Sequence, residues 1–359
     1  MSARIEQLRL HLKINCGQGI LVSHPINITY LTNFISSDSY LLITSKECFL
    51  ITDSRYIKQA HRYCKGIGVY QYKGHIFEGV SSLVKRLGVK NLAFEAKQLP
   101  FAEYEMLKKQ LRAVKFIPTY DLIETQRMTK TPGELKKIKK AVEITQKALG
   151  YIKRVLREGV SEIEIATKIE HRQRLLGGTC VSFPVIVASG LNSSFPHHIT
   201  GKKKLKLGQP LFIDAGVQYD GYKSDLTRVF FLGKMPAKVI HVFDIVQQAQ
   251  ELAIRKIRPG VKISEIDQVA RQHIANSGYG SFFGHNLGHG IGLEIHELPH
   301  ISKDNHFVLK PGMVFTLEPA IYLPNQFGIR IEDDVLVTEG GCEVLSGGYN
   351  EGYKNRVNP

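Results

Sequence analysis

Residues 211–232 have the sequence LFIDAGVQYDGYKSDLTRVFFL, in which two apolar, β-rich runs flank an Asp220-Gly221 pair. An Asp-Gly pair between such runs is typical of a β-hairpin. Asp214 and Asp225 lie 11 residues apart, and their midpoint falls within one residue of the turn. The hairpin therefore places both carboxylates on neighbouring strands, where they would repel each other unless a cation lay between them. Taken alone, the pattern also allows a turn-capping Asp214 and a surface Asp225.

A second copy of this arrangement follows about one hundred residues later. The corresponding features are the segments REGVSEI (157–163) and RPGVKISEI (258–266), the glycines Gly208 and Gly312, and the acid pairs Asp214/Glu318 and Asp225/Glu332. Their offsets are 101 residues for the leading arginines, 104 for the glycines and the first acids, and 107 for the second acids. An ordered set of this kind predicts two similar halves, each with helical and hairpin elements, that bring four acids towards one pseudo-symmetry axis.

Between the two acid pairs lies GHNLGHGIGLEIHELPH (284–300), which holds four histidines in seventeen residues. Glycines flank His289 on both sides, and glycine allows the close backbone approach that a tight site requires. A zinc-protease interpretation of HNLGH is disfavoured, because the glutamate of H-E-x-x-H is missing and glycine-rich sequence does not favour a helix. We expect His300 to be structural.

We expect Glu318 and Glu332 each to lie inside an otherwise apolar strand, in FTLEPAIYL (315–323) and GIRIEDDVLVTEGG (328–341). Burying a glutamate there is costly unless it is paired or bound to a metal. Four carboxylates and one imidazole form an oxygen-rich donor set, which favours Mn²⁺, Co²⁺ or Fe²⁺ over a thiolate-type zinc site. Paired ions about 3.5–4 Å apart that share such carboxylates activate water for hydrolysis.

The first ~120 residues alternate short β-rich runs with helical stretches, which predicts an α/β domain with a mixed sheet. The expected strands are 19–25, 40–45, 48–53, 91–96 and 115–121, and the expected helices are 5–13, 54–64, 76–88 and 101–114. A long amphipathic helix is predicted over 132–159, with Pro132 in its first turn and Gly159 at its end. We place a domain boundary just before it, giving domains 1–125 and 126–359.

Composition excludes several classes of protein. The net charge of +15 divides into +7 in residues 1–125 and +8 in the remainder, with lysine clusters at 130–140 and 202–206. A nucleic-acid binder concentrates its basic residues on one patch, so nucleic acid is not expected as a partner and these clusters are interpreted as solvated faces. No segment has the pattern of a secretory signal or a membrane span. Five widely spaced cysteines without a C-x-x-C pair favour reduced thiols in a cytoplasmic protein.

The sequences DAGVQYDGYKSDLTR, GHGIGLEIHELP, TLEPAIYL and GIRIEDD resemble the metal-site motifs of the pita-bread metallopeptidases, which include aminopeptidase P, prolidase and methionine aminopeptidase. LVSHPINITYLTNF (21–34) resembles the N-terminal domain of the proline-directed members. The resemblance implies an α/β (α+β) chain, in which a creatinase-like N-terminal domain precedes a pseudo-twofold pita-bread catalytic domain.

The resemblance also implies roles for individual residues. The implied metal ligands are Asp214, Asp225, His289, Glu318 and Glu332. The implied catalytic residues are His197, His296, His285, Arg330 and Glu318, the last as the proton-relaying base. His198 competes with its neighbour for the first of these roles, and the sequence leaves that choice open. A structural role for each histidine that is not a ligand also remains open.

By this resemblance, the chain is an enzyme that removes the first residue from peptides with proline in second place, an Xaa-Pro aminopeptidase. The alternative is an Xaa-Pro dipeptidase (prolidase), and a less favoured one is a non-catalytic module that binds protein or nucleic acid. The metal-free creatinase type is disfavoured by the intact carboxylates, and methionine aminopeptidase by the N-terminal domain. The implied cofactors are two divalent ions, Mn²⁺ first with Co²⁺, Fe²⁺ or Zn²⁺ as alternatives. The implied assembly is a homodimer.

Overall fold

The computed structural model of the chain describes residues 3–11 and 19–347, together with the backbone of residues 356–357. The chain forms two compact units, Met1–Arg127 and Met128–Pro359. Within the described ranges, no helix combines the length and the apolar character needed to cross a lipid bilayer. Cys48, Cys64, Cys180 and Cys342 are free thiols, and Cys16 lies outside the described residues.

The first unit is built on a six-stranded mixed sheet with the order β4-β3-β2-β1-β5-β6. Its strands are β1 (Gly19–Val22), β2 (Ser39–Thr44), β3 (Cys48–Thr52), β4 (Gly68–Gln71), β5 (Asn91–Glu95) and β6 (Lys115–Thr119). Its helices are α1 (Ala3–His11), α2 (Pro25–Thr32), α3 (Ile57–Tyr63), α4 (Ile76–Arg86), α5 (Phe101–Gln110) and α6 (Leu122–Arg127). Strand β2 is antiparallel to both β1 and β3. Strand β4 is parallel to β3, β5 to β1, and β6 to β5, which confirms the mixed α/β class.

The sequence did not predict strand β4 or helices α2 and α6. Helix α2 has the sequence PINITYLT, whose β-branched residues lower the intrinsic preference for a helix. Its proline at the first position and the burial of Ile28 and Leu31 outweigh that preference. The last two residues of the predicted helix 5–13 lie outside the described residues.

Among the described residues, the second unit contains four long helices and four small sheets. The helices are α7 (Pro132–Ile152), α8 (Glu162–Leu175), α9 (Ala237–Lys256) and α10 (Ile263–Asn276). The strands are β7 (Cys180–Val181), β8 (Ile186–Ser189), β9 (Pro210–Ala215), β10 (Val217–Tyr219), β11 (Tyr222–Lys223), β12 (Leu226–Leu232), β13 (Gly288–Gly290), β14 (Glu297–Ile301), β15 (Val314–Leu317), β16 (Ala320–Leu323), β17 (Phe327–Arg330), β18 (Asp333–Val337), β19 (Cys342–Val344) and β20 (Arg356–Val357). The sheet orders are β20-β12-β9-β8, β14-β13-β15-β18-β19, β11-β10-β7 and β16-β17.

The pseudo-twofold repeat is confirmed in this unit. Helices α7 and α8 precede the antiparallel pair β9/β12, and helices α9 and α10 precede the antiparallel pair β15/β18. Equivalent loops make equivalent hydrogen bonds, since Gly159 N donates to Leu205 O and Gly260 N donates to Leu309 O, both at 3.0 Å. Each half therefore has two helices and a strand pair that carries two of the four acids.

Helix α7 ends earlier than the sequence predicted. It begins at a Thr131 capping box with Pro132 in the first turn, but its last residue is Ile152 and not Gly159. Gly159 N donates instead to the carbonyl of Leu205, so the end of the predicted helix pairs with another segment of the unit. Gly159 adopts a left-handed φ of 84°. This glycine therefore lies in the turn that follows the helix and does not end the helix itself.

Candidate active site

The first acid pair lies on the β9/β12 hairpin. Asp214 is in β9, in register with Thr227 of β12, and Asp225 directly precedes β12. Asp214 is 7% exposed and Asp225 is 5% exposed, so neither is a surface residue. The Asp220-Gly221 turn has positive φ at both positions, as a two-residue hairpin turn of type I′ requires.

The second acid pair occupies the equivalent positions of the other half. The sequence predicted both acids inside strands, but Glu318 directly follows β15 and Glu332 directly precedes β18, whose residue Asp333 pairs with Leu317. Glu332 is 2% exposed, and its Oε2 accepts a hydrogen bond of 2.7 Å from Thr227 Oγ1 on β12. This bond joins the second acid pair to strand β12, which directly follows Asp225 of the first acid pair.

His289 brings its imidazole to the acids from strand β13. Its Nε2 lies 3.6 Å from Asp225 Oδ2 and 3.7 Å from Glu318 Oε1. Its Nδ1 lies 3.1 Å from the carbonyl of Gly290, which can only accept, so we assign the ring hydrogen to Nδ1. Burial, followed by His296, lowers the pKa of His289 to about 4. The neutral ring therefore directs a lone pair at two carboxylates, an arrangement that a cation between them would satisfy.

The pKa values show how unfavourable the acid cluster is without a cation. Burial, followed by the carboxylates of Glu332 and Asp214, raises the pKa of Asp225 well above its usual range. Burial and then Asp214 raise the pKa of Glu332 to about 8, and burial and then Glu332 raise that of Glu318 well above normal. Burial also raises the pKa of Asp214, against the lowering effect of Arg330. At neutral pH the cluster holds either protons or a cation.

The donor set fits a divalent metal ion. One ligand atom from each of Asp225, His289 and Glu332 lies within 4.8 Å of the others. Asp214 Oδ1 and Asp225 Oδ1 are buried and have no hydrogen-bond partner among the described residues. Buried carboxylate oxygens are rarely left in this state, and a bound cation would satisfy them.

Arg330 is a buried centre of hydrogen bonds beside the acids. Its Nη2 donates to Asp214 Oδ2 at 2.6 Å, and its Nε donates to Thr227 Oγ1 at 3.1 Å. Its Nη1 donates to Tyr322 Oη at 2.8 Å and to the carbonyl of Pro196 at 2.9 Å. Burial raises the pKa of Tyr322 to about 12, although the positive charge of Arg330 lowers it. Arg330 therefore fixes Asp214 and contributes the cluster's buried guanidinium charge.

A cavity of about 540 Å³ opens onto these acids. All five expected metal ligands line it, together with Arg330, His197, His198 and His296. Its remaining wall is mainly apolar and includes Ile163, Phe183, Val185 and Ile199. Small-molecule sites combine an apolar wall with a few convergent polar groups in this way, in volumes of about 300–1,000 Å³.

The structure separates the remaining histidines. The ring of His296 lies 4.3 Å from that of His289, centre to centre, at the cavity wall. His197 lines the cavity with an exposed side chain, whereas His198 hydrogen-bonds to the buried Glu162 at 2.9 Å. His285 is not among the cavity-lining residues of the described chain, and instead places Nδ1 3.9 Å from Glu318 Oε2.

Comparison with known proteins now identifies the family. The profile of Metallopeptidase family M24 matches residues 136–339, and that of the Creatinase/Prolidase N-terminal domain matches residues 4–129. The chain belongs to the metallopeptidase family M24. This M24 chain is a metallopeptidase enzyme with the expected order of a creatinase-like domain and a pita-bread catalytic domain. Membership implies divalent metal ions, in agreement with the donor set.

Individual relatives of this M24 member cover nearly its whole length. It is 34% identical to the Xaa-Pro dipeptidase of Pyrococcus horikoshii, over 96% of this chain and 97% of that protein. A solved Xaa-Pro dipeptidase from Bacillus anthracis shows 38% identity and a TM-score of 0.94, with 99% of each chain covered. A solved X-Pro aminopeptidase from Thermotoga maritima shows 37% identity and a TM-score of 0.89, covering 99% of this chain and 100% of that one.

Two residues of this M24 site, Thr227 and Asp334, were not found from the sequence. Thr227 bridges Glu332 and Arg330, and Asp334 Oδ2 accepts a hydrogen bond from the backbone of Asp225. The sequence spacing could have indicated Thr227 and Asp334, because residues two apart in a strand lie on the same face. Thr227 follows Asp225 by two, and Asp334 follows Glu332 by two.

Proposed function

We propose that this metallopeptidase is an Xaa-Pro dipeptidase, which hydrolyses the bond between a first residue and the proline that follows it. The observation that carries the proposal is the buried cluster of four acids and His289, with unpartnered carboxylate oxygens, at a cavity of small-molecule size. The dipeptide preference is supported by the names of the Pyrococcus and Bacillus relatives. The comparisons thus favour the alternative of the sequence analysis over its main expectation, an aminopeptidase.

The proposed ions are two, held by Asp214, Asp225, His289, Glu318 and Glu332. When bound, they would supply a water of lowered pKa and polarise the scissile carbonyl. Mn²⁺ is the proposed ion because the donors are mainly carboxylate oxygens. Metal analysis of the purified protein tests both the number and the identity of the ions.

The chain's own residues supply the proton transfer and the hydrogen bonds. Glu318 accepts the proton of the attacking water and passes it to the leaving proline nitrogen, acting as a base and then as an acid. His197 and His296, at the cavity wall, donate hydrogen bonds to the oxygen on which negative charge develops. His285 lies 3.4 Å from Tyr322 Oη and 3.9 Å from Glu318, which is beyond hydrogen-bond distance, so its proposed role is to pack beside the base.

Product analysis by mass spectrometry tests the proposal. Metal-stripped protein reloaded with Mn²⁺ is given Ala-Pro, a longer Xaa-Pro peptide and a Met-Ala peptide. We expect Ala-Pro to be cleaved fastest and Met-Ala not at all. Asp225→Asn keeps the shape of the side chain, and should lose both bound metal and activity. Cleavage of Met-Ala, or full activity of Asp225→Asn, would refute the assignment.

Xaa-Pro aminopeptidase remains the second candidate, because the Thermotoga relative of similar identity carries that name. The two activities differ in whether residues beyond the proline are accepted. A longer Xaa-Pro peptide cleaved faster than Ala-Pro would favour the aminopeptidase. The proposed setting is a homodimer in the cytoplasm, and the free thiols of the four cysteines that the structure describes support a reducing compartment. Light scattering after gel filtration tests the dimer.

A further inference from the structure

His197 lies on a segment whose neighbouring residues are both anchored. The segment runs from Ser189, at the end of β8, through a 3₁₀ turn at Gly190–Ser194 to His198. On one side of His197, the carbonyl of Pro196 accepts a 2.9 Å hydrogen bond from Arg330. On the other side, the ring of His198 is held 2.9 Å from Glu162. The exposed His197 side chain is thus presented to the cavity between two fixed points.

Glu162 collects hydrogen bonds from both ends of this segment. It follows the helix cap Ser161 at the start of α8, and its side chain is fully buried. Its Oε1 accepts from Ser189 N at 2.9 Å and from Ser189 Oγ at 2.8 Å. Asn192 Nδ2 lies 3.0 Å from both carboxylate oxygens, and His198 Nε2 lies 2.9 Å from Oε2. One buried carboxylate therefore ties together the first, middle and last parts of the segment.

The geometry gives His198 a different role from its neighbour. A carboxylate surrounded by donors acts as an acceptor, so we assign the ring hydrogen of His198 to Nε2, where it is used in the bond to Glu162. The His198 side chain is 15% exposed. A nitrogen committed to a buried carboxylate cannot also donate to a substrate in the cavity. Both histidines line the cavity, but His198 uses its Nε2 to bind Glu162, whereas the side chain of His197 is exposed there.

We propose that Glu162 and His198 are positioning residues, which hold the Ser189–His198 segment so that His197 meets the developing charge of the substrate. The proposal rests on the proposed function only in the role of His197. The anchoring itself stands on the hydrogen bonds to Glu162.

A double-mutant cycle tests the route of action through His197. We expect His197→Ala to lower kcat/KM for Ala-Pro about 10²-fold, the usual effect of losing one such donor. His198→Ala should lower kcat about 10-fold with KM nearly unchanged, because a displacement of about 1 Å costs up to 10²-fold. In the His197→Ala background, His198→Ala should lower kcat by less than about 2-fold, because the imidazole that it would displace is already absent. Equal losses in both backgrounds would overturn the proposal.

A conservative variant and a control sharpen the cycle. His198→Gln keeps an N–H donor for Glu162, and should restore kcat to within about 3-fold of the wild type. Gln no more active than Ala would overturn the proposal. His171→Ala, an exposed histidine on the same helix as Glu162, should leave kcat and the melting temperature unchanged.

Hydrogen–deuterium exchange separates the anchoring from the enzymatic function. In His198→Ala and Glu162→Gln, peptides covering residues 186–200 should exchange at least about 10-fold faster than in the wild type, while those covering β9 stay unchanged. Unchanged exchange in 186–200 would overturn the anchoring, whatever the activity. A wild type that cleaves no Xaa-Pro peptide but shows the expected exchange would refute the proposed function and support the anchoring.

Discussion

Gly288→Ala tests whether the glycine beside His289 is required by the packing of strand β13 on strand β15. A Cβ at Gly288 would lie 1.9 Å from the carbonyl oxygen of Thr316 and 2.7 Å from its carbonyl carbon. Cβ contacts shorter than 3.0 Å are essentially never observed, so the two strands must separate by about 1.1 Å. Both partners are backbone atoms, so no side-chain rotation relieves the overlap.

Two consequences follow from that separation. Overpacking of a tight interior costs about 1–3 kcal/mol, and a backbone overlap belongs at the upper end. For a unit of this size, 3 kcal/mol corresponds to a melting temperature lower by roughly 6–12 °C. His289, the next residue and a proposed metal ligand, moves with the strand, and its displacement should weaken Mn²⁺ binding about 10–100-fold.

Thermal unfolding and isothermal titration with Mn²⁺ measure both effects. Gly340→Ala is the matched control, because a Cβ there meets nothing within 4 Å and its φ is not left-handed. It should change the melting temperature by no more than about 2 °C. If Gly288→Ala had the same melting temperature and Mn²⁺ affinity as Gly340→Ala, the two strands would not be packed as described.

Three further perturbations have definite outcomes. Lys130→Met removes the cation 2.7 Å from the buried Glu297 carboxylate and should cost about 3–5 kcal/mol in urea unfolding, whereas the exposed Lys136→Met should cost almost nothing. In metal-free protein, folded Glu332 keeps its proton to pH about 8 while the unfolded chain releases it near 4.5, so stability should fall as pH rises across this range. Glu332→Gln should make that slope shallower by up to about 1.4 kcal/mol per pH unit, and an unchanged slope would contradict the raised pKa. Thr227→Val removes the donor to Glu332 and should weaken Mn²⁺ binding about 10–100-fold by calorimetry, with little loss of fold.

The sequence was informative where chemistry follows a short-range pattern. Asp214 and Asp225 could be placed on neighbouring strands, because an Asp-Gly turn fixes the hairpin register. Their partners followed from the repeat, since a duplicated half carries its acids at equivalent positions. The glycines around His289 predicted a close backbone approach. Its physical basis at Gly288 is that a Cβ there would lie only 1.9 Å from the carbonyl oxygen of Thr316.

The sequence was silent where a residue's role depends on a distant partner. The pairing of His198 with Glu162 spans 36 residues, and no local pattern separates this histidine from its neighbour. The hydrogen bond from Thr227 to Glu332 spans 105 residues and needs both halves of the fold. The end of helix α7 belongs to the same class, because its predicted last turn is replaced by pairing with the segment at Leu205.

The charge balance of the acid cluster supports a pair of ions over a single one. Four ionised carboxylates and the Arg330 guanidinium give a net charge of −3 in a buried volume, and His289 is neutral there. One divalent ion would leave −1 and two would give +1, and only the positive site attracts an anionic nucleophile or a substrate carboxylate. An anionic nucleophile or a substrate carboxylate would then bring the site to neutrality. Each half of the repeat contributes two of the four carboxylates, so the proposed pair of ions depends on both halves of the fold.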